Sequence, residues 1–315
     1  MRVLFVSKTD WANVGYLFAQ GLKQVGIPAA SLSLRPVKMG YPKGSKIVTE
    51  DVMKARAKYA DAVVWLHSEH IKLPTKGKRK LVFHGGSRYR NKTKEVLKIF
   101  NPIVDVSLVQ TGELLDRGAK NEVWLLPGVD TDFIRPAFGV HEKLVVAHYP
   151  RNSARDVDVK GTLVINRMMG KFVRHFPNRV LYKSAGRPKY RPLVWEKNLK
   201  RMAGCDIYVE SMSRASSSGN KHDWSMTALE AAALGKIVVT NFLFKDRYLR
   251  EYGSCPLMVA NNRHEFSRTM HVLLNSSKKE LETVQKETRR WVEEKHSLKA
   301  VGERLKKAIY EGNEF

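Results

Sequence analysis

A chain of 315 residues, 43% hydrophobic and 28% charged, holds enough apolar material for two cores of roughly 150 residues each and too much for a disordered or fibrous protein. Lys and Arg number 56 against 31 Asp and Glu, a net charge of +25, which points to a polyanionic partner such as nucleic acid or an anionic membrane surface. Two cysteines, Cys205 and Cys255, exclude a disulfide framework and a zinc site of three or four thiolates, and no run of 18 apolar residues offers a membrane span. The apolar stretch Val3 to Val6 is too short for the core of a signal peptide, so a soluble, cytoplasmic protein is expected.

Short apolar runs alternate with helical patterns from end to end, which predicts repeated strand and helix units, an α/β class and parallel sheets. A first series of strands is expected at Val3 to Ser7, Ala29 to Leu34, Ala62 to Leu66, Lys80 to Phe83, Val104 to Val109 and Glu122 to Leu126. The turn-rich segment from Pro127 to Pro136 then marks a domain boundary. A second series is expected at Lys143 to His148, Arg179 to Lys183, Asp206 to Glu210, Lys236 to Thr240 and Pro256 to Ala260. A charged helix from about Lys278 carries Trp291, Val292, Leu298, Val301 and Leu305 as an apolar stripe. The expected organisation is a domain over 1–136, a second over 137–295 and a closing helix over 296–315.

In open parallel sheets ligands bind beyond the carboxyl ends of the strands, so the residues that follow each strand are the candidates. After the first strand, Asn13, Val14 and Gly15 open a helical pattern and would aim backbone N–H groups at an anion. The spacing is neither GxGxxG nor a Walker loop, which argues against dinucleotide binding and P-loop chemistry. Ser225, Met226 and Thr227 begin a short helix that ends at Gly235, a start suited to cradling a diphosphate, with Glu230 one turn further in to accept hydrogen bonds from ribose hydroxyls. Thr227 and Glu230 also have the spacing of a capping box, in which the glutamate only satisfies a backbone donor. His67, Ser68, Glu69 and His70 lack a third metal ligand in helical context, and no metal or cofactor is expected.

Three motifs in order carry a resemblance: Pro127-Gly128-Val129-Asp130-Thr131-Asp132-Phe133 with Arg135-Pro136, then Lys160-Gly161-Thr162, then Ala228-Leu229-Glu230-Ala231 with Ala233, Gly235-Lys236 and Val238-Val239. Together they resemble the GT-B glycosyltransferases of the retaining, glycogen-synthase-like branch, and the likeness covers essentially the whole chain. It implies two Rossmann-like domains facing across a cleft, a nucleotide-diphosphate sugar held mainly by the second, and a last helix crossing back to the first. By the same resemblance Lys160 and either Arg155 or Arg151 neutralise the donor diphosphate, doing electrostatically what a metal does elsewhere. Glu230 matches the second glutamate of the family's E-x7-E pattern, the ribose ligand. His222 stands where the first glutamate is usual, with Asp223 beside it as a substitute near the transferred sugar. His84 matches the family's cleft histidine, His67 occupies a similar strand end, and Gly186 and Arg187 follow a strand on the donor side. Asp156-Val157-Asp158 has the form of a metal-binding DxD but falls in the phosphate loop, so it is read as coincidence.

The charge excess is shared by both halves. In the first it concentrates between 71 and 100, where ten Lys and Arg face Glu95 alone, and strand polarity puts Arg88, Tyr89, Arg90, Lys92 and Lys94 on the cleft side. That segment would grip phosphates and stack a base. The expected enzyme is a monomeric glycosyltransferase, hexosyl or pentosyl, that modifies a hydroxymethylated base in DNA, as in a bacteriophage acting within its host's cytoplasm. Two other readings fit the charge: a peripheral-membrane transferase of lipid-linked or cell-surface glycan synthesis, and a non-catalytic nucleic-acid-binding protein on the same scaffold.

Overall fold

The computed structural model of the chain describes residues 1–37, 39–150, 160–184, 194–212 and 223–310. The apolar runs of the first series form strands β1 Val3–Thr9, β2 Ala29–Arg35, β3 Lys46–Ile47, β4 Ala62–Trp65, β5 Arg79–His84, β6 Val106–Val109 and β7 Glu122–Trp124. Helices α1 Val14–Gln24, α2 Glu50–Lys58, α3 Gly86–Asn91 and α4 Thr93–Phe100 connect them. All pairings are parallel and the order is β3-β2-β1-β4-β5-β6-β7. Parallel strands are covered on both faces, which is why β4 and β6 are apolar or small and buried throughout. Strand β3 was not expected. It is two exposed residues long, too short to carry a period, and only its pairing with Leu32 and Ser33 makes it a strand.

The second series forms β8 Leu144–His148, β9 Val180–Ser184, β10 Ile207–Val209, β11 Ile237–Thr240 and β12 Met258–Val259, again parallel, in the order β12-β11-β10-β8-β9. Its helices are α5 Thr162–His175, α6 Trp195–Ala203, α7 Met226–Ala233, α8 Lys245–Tyr252, α9 Arg263–Asn275 and α10 Lys278–His296. A last helix, α11 Leu298–Tyr310, follows. Two units result: Met1–Asp130 with the chain from Lys295 onward, and Thr131–Glu294. Each has its own core, one around Phe5, Phe18, Phe83 and Leu108, the other around Val146, Ile207, Val239 and Phe266.

Within each unit, local contacts hold the chain next to the points where it passes from one unit to the other. The Arg289 guanidinium donates to the carbonyls of Thr131 (2.8 Å), Ile134 (2.7 Å) and Ala233, tying the segment after Asp130 to the second unit. The charged C-terminal stretch breaks at Ser297, where the chain pairs with Val129 and the Val129 N–H donates to the His296 carbonyl at 2.9 Å. Beyond the break, α11 lies against α1 at a contact of two glycines. A Cβ on Gly21 would stand 2.6 Å from the Leu298 carbonyl oxygen, and one on Gly302 would stand 2.5 Å from the Gly21 carbonyl carbon and nearer still to its oxygen.

Alanine in place of a helical glycine ordinarily gains up to about 1 kcal/mol. Here the obstacle is backbone on both helices, so overpacking of about 1–3 kcal/mol outweighs that gain. Gly302→Ala is therefore expected to lower stability by about 1 kcal/mol in a denaturant titration. A variant as stable as the parent would show that the helices separate at no cost.

Candidate functional site

The order of the second sheet reverses between β8 and β10, and the residues at the carboxyl ends of these two strands meet there. Beyond β8 lies Lys160 and beyond β10 lies Glu210. Their side chains form an ion pair, Lys160 Nζ on Glu210 Oε1, with Lys160 partly exposed and Glu210 sealed from solvent. The Lys160 backbone is pinned as well, since its carbonyl accepts the Met212 N–H at 2.9 Å. Gly161 makes this close approach possible: its φ is +69°, and a Cβ would stand 2.7 Å from the Met212 carbonyl carbon and nearer to the oxygen. Thr162, the first residue of α5, is held through its Oγ1 at 3.1 Å from His148 Nε2, and His148 Nδ1 is 2.7 Å from the Val209 carbonyl.

Glu210 is the centre of a wider set of contacts. Its Oε1 also accepts from Ser225 Oγ at 2.8 Å and Thr227 Oγ1 at 3.0 Å, while Thr240 Oγ1 donates to Oε2 at 3.0 Å and Ser211 Oγ lies against the same oxygen. Lys160 Nζ donates in addition to Ser225 Oγ at 2.8 Å. Burial alone would push the Glu210 carboxyl up; the Lys160 charge and the donated hydrogen bonds outweigh it and hold the group at about 2. The carboxylate is thus ionised across the working pH range.

Helix α7 starts beside this pair, with Ser225 as its N-cap residue. Met226 and Thr227 are its first two residues, whose N–H groups have no acceptor within the helix. An ammonium next to a helix N-terminus is a site for an anion. The capping-box alternative for Glu230 does not form, because the cap falls at Ser225 rather than Thr227. The Glu230 carboxylate instead accepts the indole N–H of Trp195 at 2.6 Å, and the Trp195 ring stacks on Phe133 at 5.5 Å. Burial raises the Glu230 carboxyl to about 7, a shift the Trp195 hydrogen bond only tempers. Asp223, expected beside a sugar, is buried, and its Oδ1 accepts the N–H groups of Trp224 (3.0 Å) and Leu243 (3.4 Å). Through Oδ1 it braces the turn into α7 and anchors it to the loop after β11.

The first sheet reverses between β1 and β4, and there too a carboxylate sits at the switch point. Asp10 is buried and accepts the N–H of Gly15 (2.9 Å) and of Tyr16 (3.1 Å) together with Ser45 Oγ (2.6 Å). The expectation that Gly15 presents its N–H to a donor phosphate is corrected on this ground, since a protein carboxylate already takes it. Gly15 has a packing reason instead: a Cβ would collide with Leu66 and Ser31. His67 Nε2 lies 3.6 Å from Asp10 Oδ1. Ala12, Asn13, His67 and Ser68 all have left-handed backbone, strain concentrated at the two strand ends that flank the switch point.

Two expectations for the segment after β5, those for Tyr89 and Arg90, are overturned. His84 is fully buried, with Ser68 Oγ at 2.9 Å from Nδ1, and burial drives its pKa down to about 3, so it stands as a neutral interior ring. Tyr89 is fully buried and stacks on His84 at 4.2 Å, which leaves no face for a nucleic-acid base. Arg90 is spent in a nearly buried ion pair with Glu113. Arg88, Lys92 and Lys94 are exposed as expected of a basic rim, although Lys92 also pairs with Glu95 at 3.3 Å.

Arg151, Arg155, Gly186, Arg187 and His222, and with them Asp156 to Asp158, lie outside the described residues. Among the described residues no cluster of three or more His, Cys, Asp and Glu is arranged to hold a metal ion, and no helix is long and apolar enough to cross a membrane. Sequence reasoning missed Glu210 and Trp195. The one signal for Glu210 was an acid at the carboxyl end of an otherwise apolar run, Ile207 to Val209.

No protein-family model matches the chain, and no curated protein matches it by sequence. Solved structures do match its fold. Anabaena HepE in complex with UDP-glucose superposes with a TM-score of 0.63 at 10% identity, over 99% of this chain and 100% of that one. AviGT4, a glycosyltransferase of avilamycin A biosynthesis, gives 0.59 at 13% identity over 98% and 96% of the two chains. The sucrose-phosphate synthase of Thermosynechococcus elongatus gives 0.58 at 11% identity over 99% and 98%. The chain has the fold of these proteins, the α/β GT-B fold with its two parallel sheets.

The raised Glu230 carboxyl has a measurable consequence. The unfolded chain ionises this group near 4.5 and the folded chain near 7, so stability attributable to it is full below pH 4.5, falls as pH rises, and is gone above about 7. The loss amounts to about 3 kcal/mol. Denaturant titrations from pH 5 to pH 8 should show a declining difference between the parent and Glu230→Gln; parallel curves would place Glu230 in an ordinary, solvated setting.

Proposed function

We propose that the protein is a glycosyltransferase that takes its sugar from a nucleoside-diphosphate sugar. The observation that carries this reading is the Lys160 ammonium placed beside the N-terminus of α7 at the switch point of a parallel sheet. Support comes from the fold it shares with HepE, whose structures hold UDP and UDP-glucose. In the reading proposed here Lys160, with Arg155 or Arg151, takes the charge that develops on the leaving diphosphate, and the first amides of α7 share it. Glu230 then takes the ribose hydroxyls, with Trp195 already on its other oxygen. Transfer breaks the bond from the anomeric carbon to the phosphate oxygen and forms one to an acceptor oxygen, whose proton passes to the leaving phosphate. This front-face course retains the anomeric configuration and asks the protein for positioning and charge stabilisation.

For the acceptor we favour a hydroxyl-bearing base in DNA. The net charge of +25 is larger than a nucleotide sugar needs, and Arg88, Lys92 and Lys94 keep an exposed basic rim after β5. With Tyr89 buried, recognition of the base falls to other residues, and the rim supplies phosphate contacts alone.

Incubation with labelled UDP-sugars and either hydroxymethylated duplex DNA or lipid acceptors tests the assignment, and label appearing only in lipid would refute the DNA acceptor. Replacing Lys160 by alanine should lower transfer at least about 100-fold, the scale of losing one charge-stabilising group at a transition state. Its salt-dependent retention on DNA should match the parent's. Transfer undiminished in Lys160→Ala would remove the donor site from this position.

A further inference from the structure

A carboxylate is an unexpected lining for a diphosphate site. Glu210 has no exposed surface and is nevertheless ionised, and the group that balances its charge is the same Lys160 that the proposed function sets against the donor. The pair is net neutral. Its second role is visible in the hydroxyls: Ser225 Oγ and Thr227 Oγ1, at the start of α7, both donate to Glu210 Oε1 rather than being turned toward a ligand. Lys160, by contrast, keeps part of its side chain in solvent and has an ammonium with three donors, two of which are used on Glu210 and Ser225.

We propose that Glu210 is a built-in counter-ion of the donor site, which cancels the Lys160 charge in the empty enzyme and so holds down affinity for the nucleoside diphosphate left after transfer. This rests on the donor site assigned above. A site carrying an uncompensated lysine beside a helix N-terminus would retain a diphosphate product tightly. Glu210 subtracts one unit of charge close to the phosphates, where a unit charge counts for more than in water. Gln is a near-isosteric test, because its amide oxygen can replace Oε1 for Lys160, Ser225 and Thr227, and its NH2 group can donate to the Ser211 and Thr240 hydroxyls that now serve Oε2.

Calorimetric titration of the full chain with UDP decides the matter, using the parent, Glu210→Gln, Lys160→Met and the double variant. The counter-ion role expects Glu210→Gln to bind UDP at least about tenfold more tightly than the parent, with a steeper loss on adding salt. It expects Lys160→Met to bind at least about tenfold more weakly, and the double variant, again neutral, to return to near the parent. A merely structural Glu210 gives the opposite sign, weaker binding in Glu210→Gln. If Glu210→Gln does not fold, the return of the double variant from the Lys160→Met level carries the same information, and failure to return overturns the proposal. Weakening in Lys160→Met without tightening in Glu210→Gln sinks the counter-ion role and spares the donor site. A parent that does not bind UDP, or binding unchanged in Lys160→Met, sinks both.

Discussion

An ionised carboxylate with no contact to water must be matched by a cation and enough donors to occupy its lone pairs, and in the second unit the loop structure is organised around meeting that demand for Glu210. Lys160 supplies the charge, and hydroxyls from four further residues supply the rest: Ser211 next to it in sequence, Ser225 and Thr227 at the start of α7, and Thr240 at the end of β11. Three other stretches of chain converge on this one side chain. Because a half-satisfied buried carboxylate is costly, the pair helps fix where Lys160, the start of α7 and the end of β11 must lie.

The two units answer one topological problem in different ways. Each sheet reverses order once, and each reversal brings a carboxylate to the strand ends, Asp10 in the first unit and Glu210 in the second. Asp10 turns its oxygens onto the first amides of α1, so the helix end is capped by the protein itself. Glu210 takes side-chain donors and leaves the backbone at the start of α7 to a different acceptor. The difference is one of placement. Asp10 accepts backbone N–H groups, whereas Glu210 is engaged by a lysine and by side-chain hydroxyls.

Much of the architecture was legible in the sequence. The expected strands appear as β1, β2 and β4 to β12; the central ones, such as β4, β8, β10 and β11, are buried throughout and so must be runs of apolar or small residues, which survive as a one-dimensional signal. The start of the short helix before Gly235 was likewise readable, since a helix N-terminus has its own local code. Tyr89 and Arg90 were not. A basic stretch with an interleaved aromatic reads the same whether the ring faces solvent or a core, and only the seating of α3 over the end of β5 turns Tyr89 onto His84 and Arg90 onto Glu113.

Composition and pattern by themselves determined two parallel α/β units, a strongly cationic surface and the stretch of chain that starts α7, because each depends on residues near one another in sequence. Tertiary structure alone decided which polar groups are spent inside the protein. The partners of Glu210 lie up to 50 residues away, and those of Asp10 up to 57. Whether a charge is solvated, paired or sealed from water is a property of the neighbours that folding brings to it, and no local pattern encodes them.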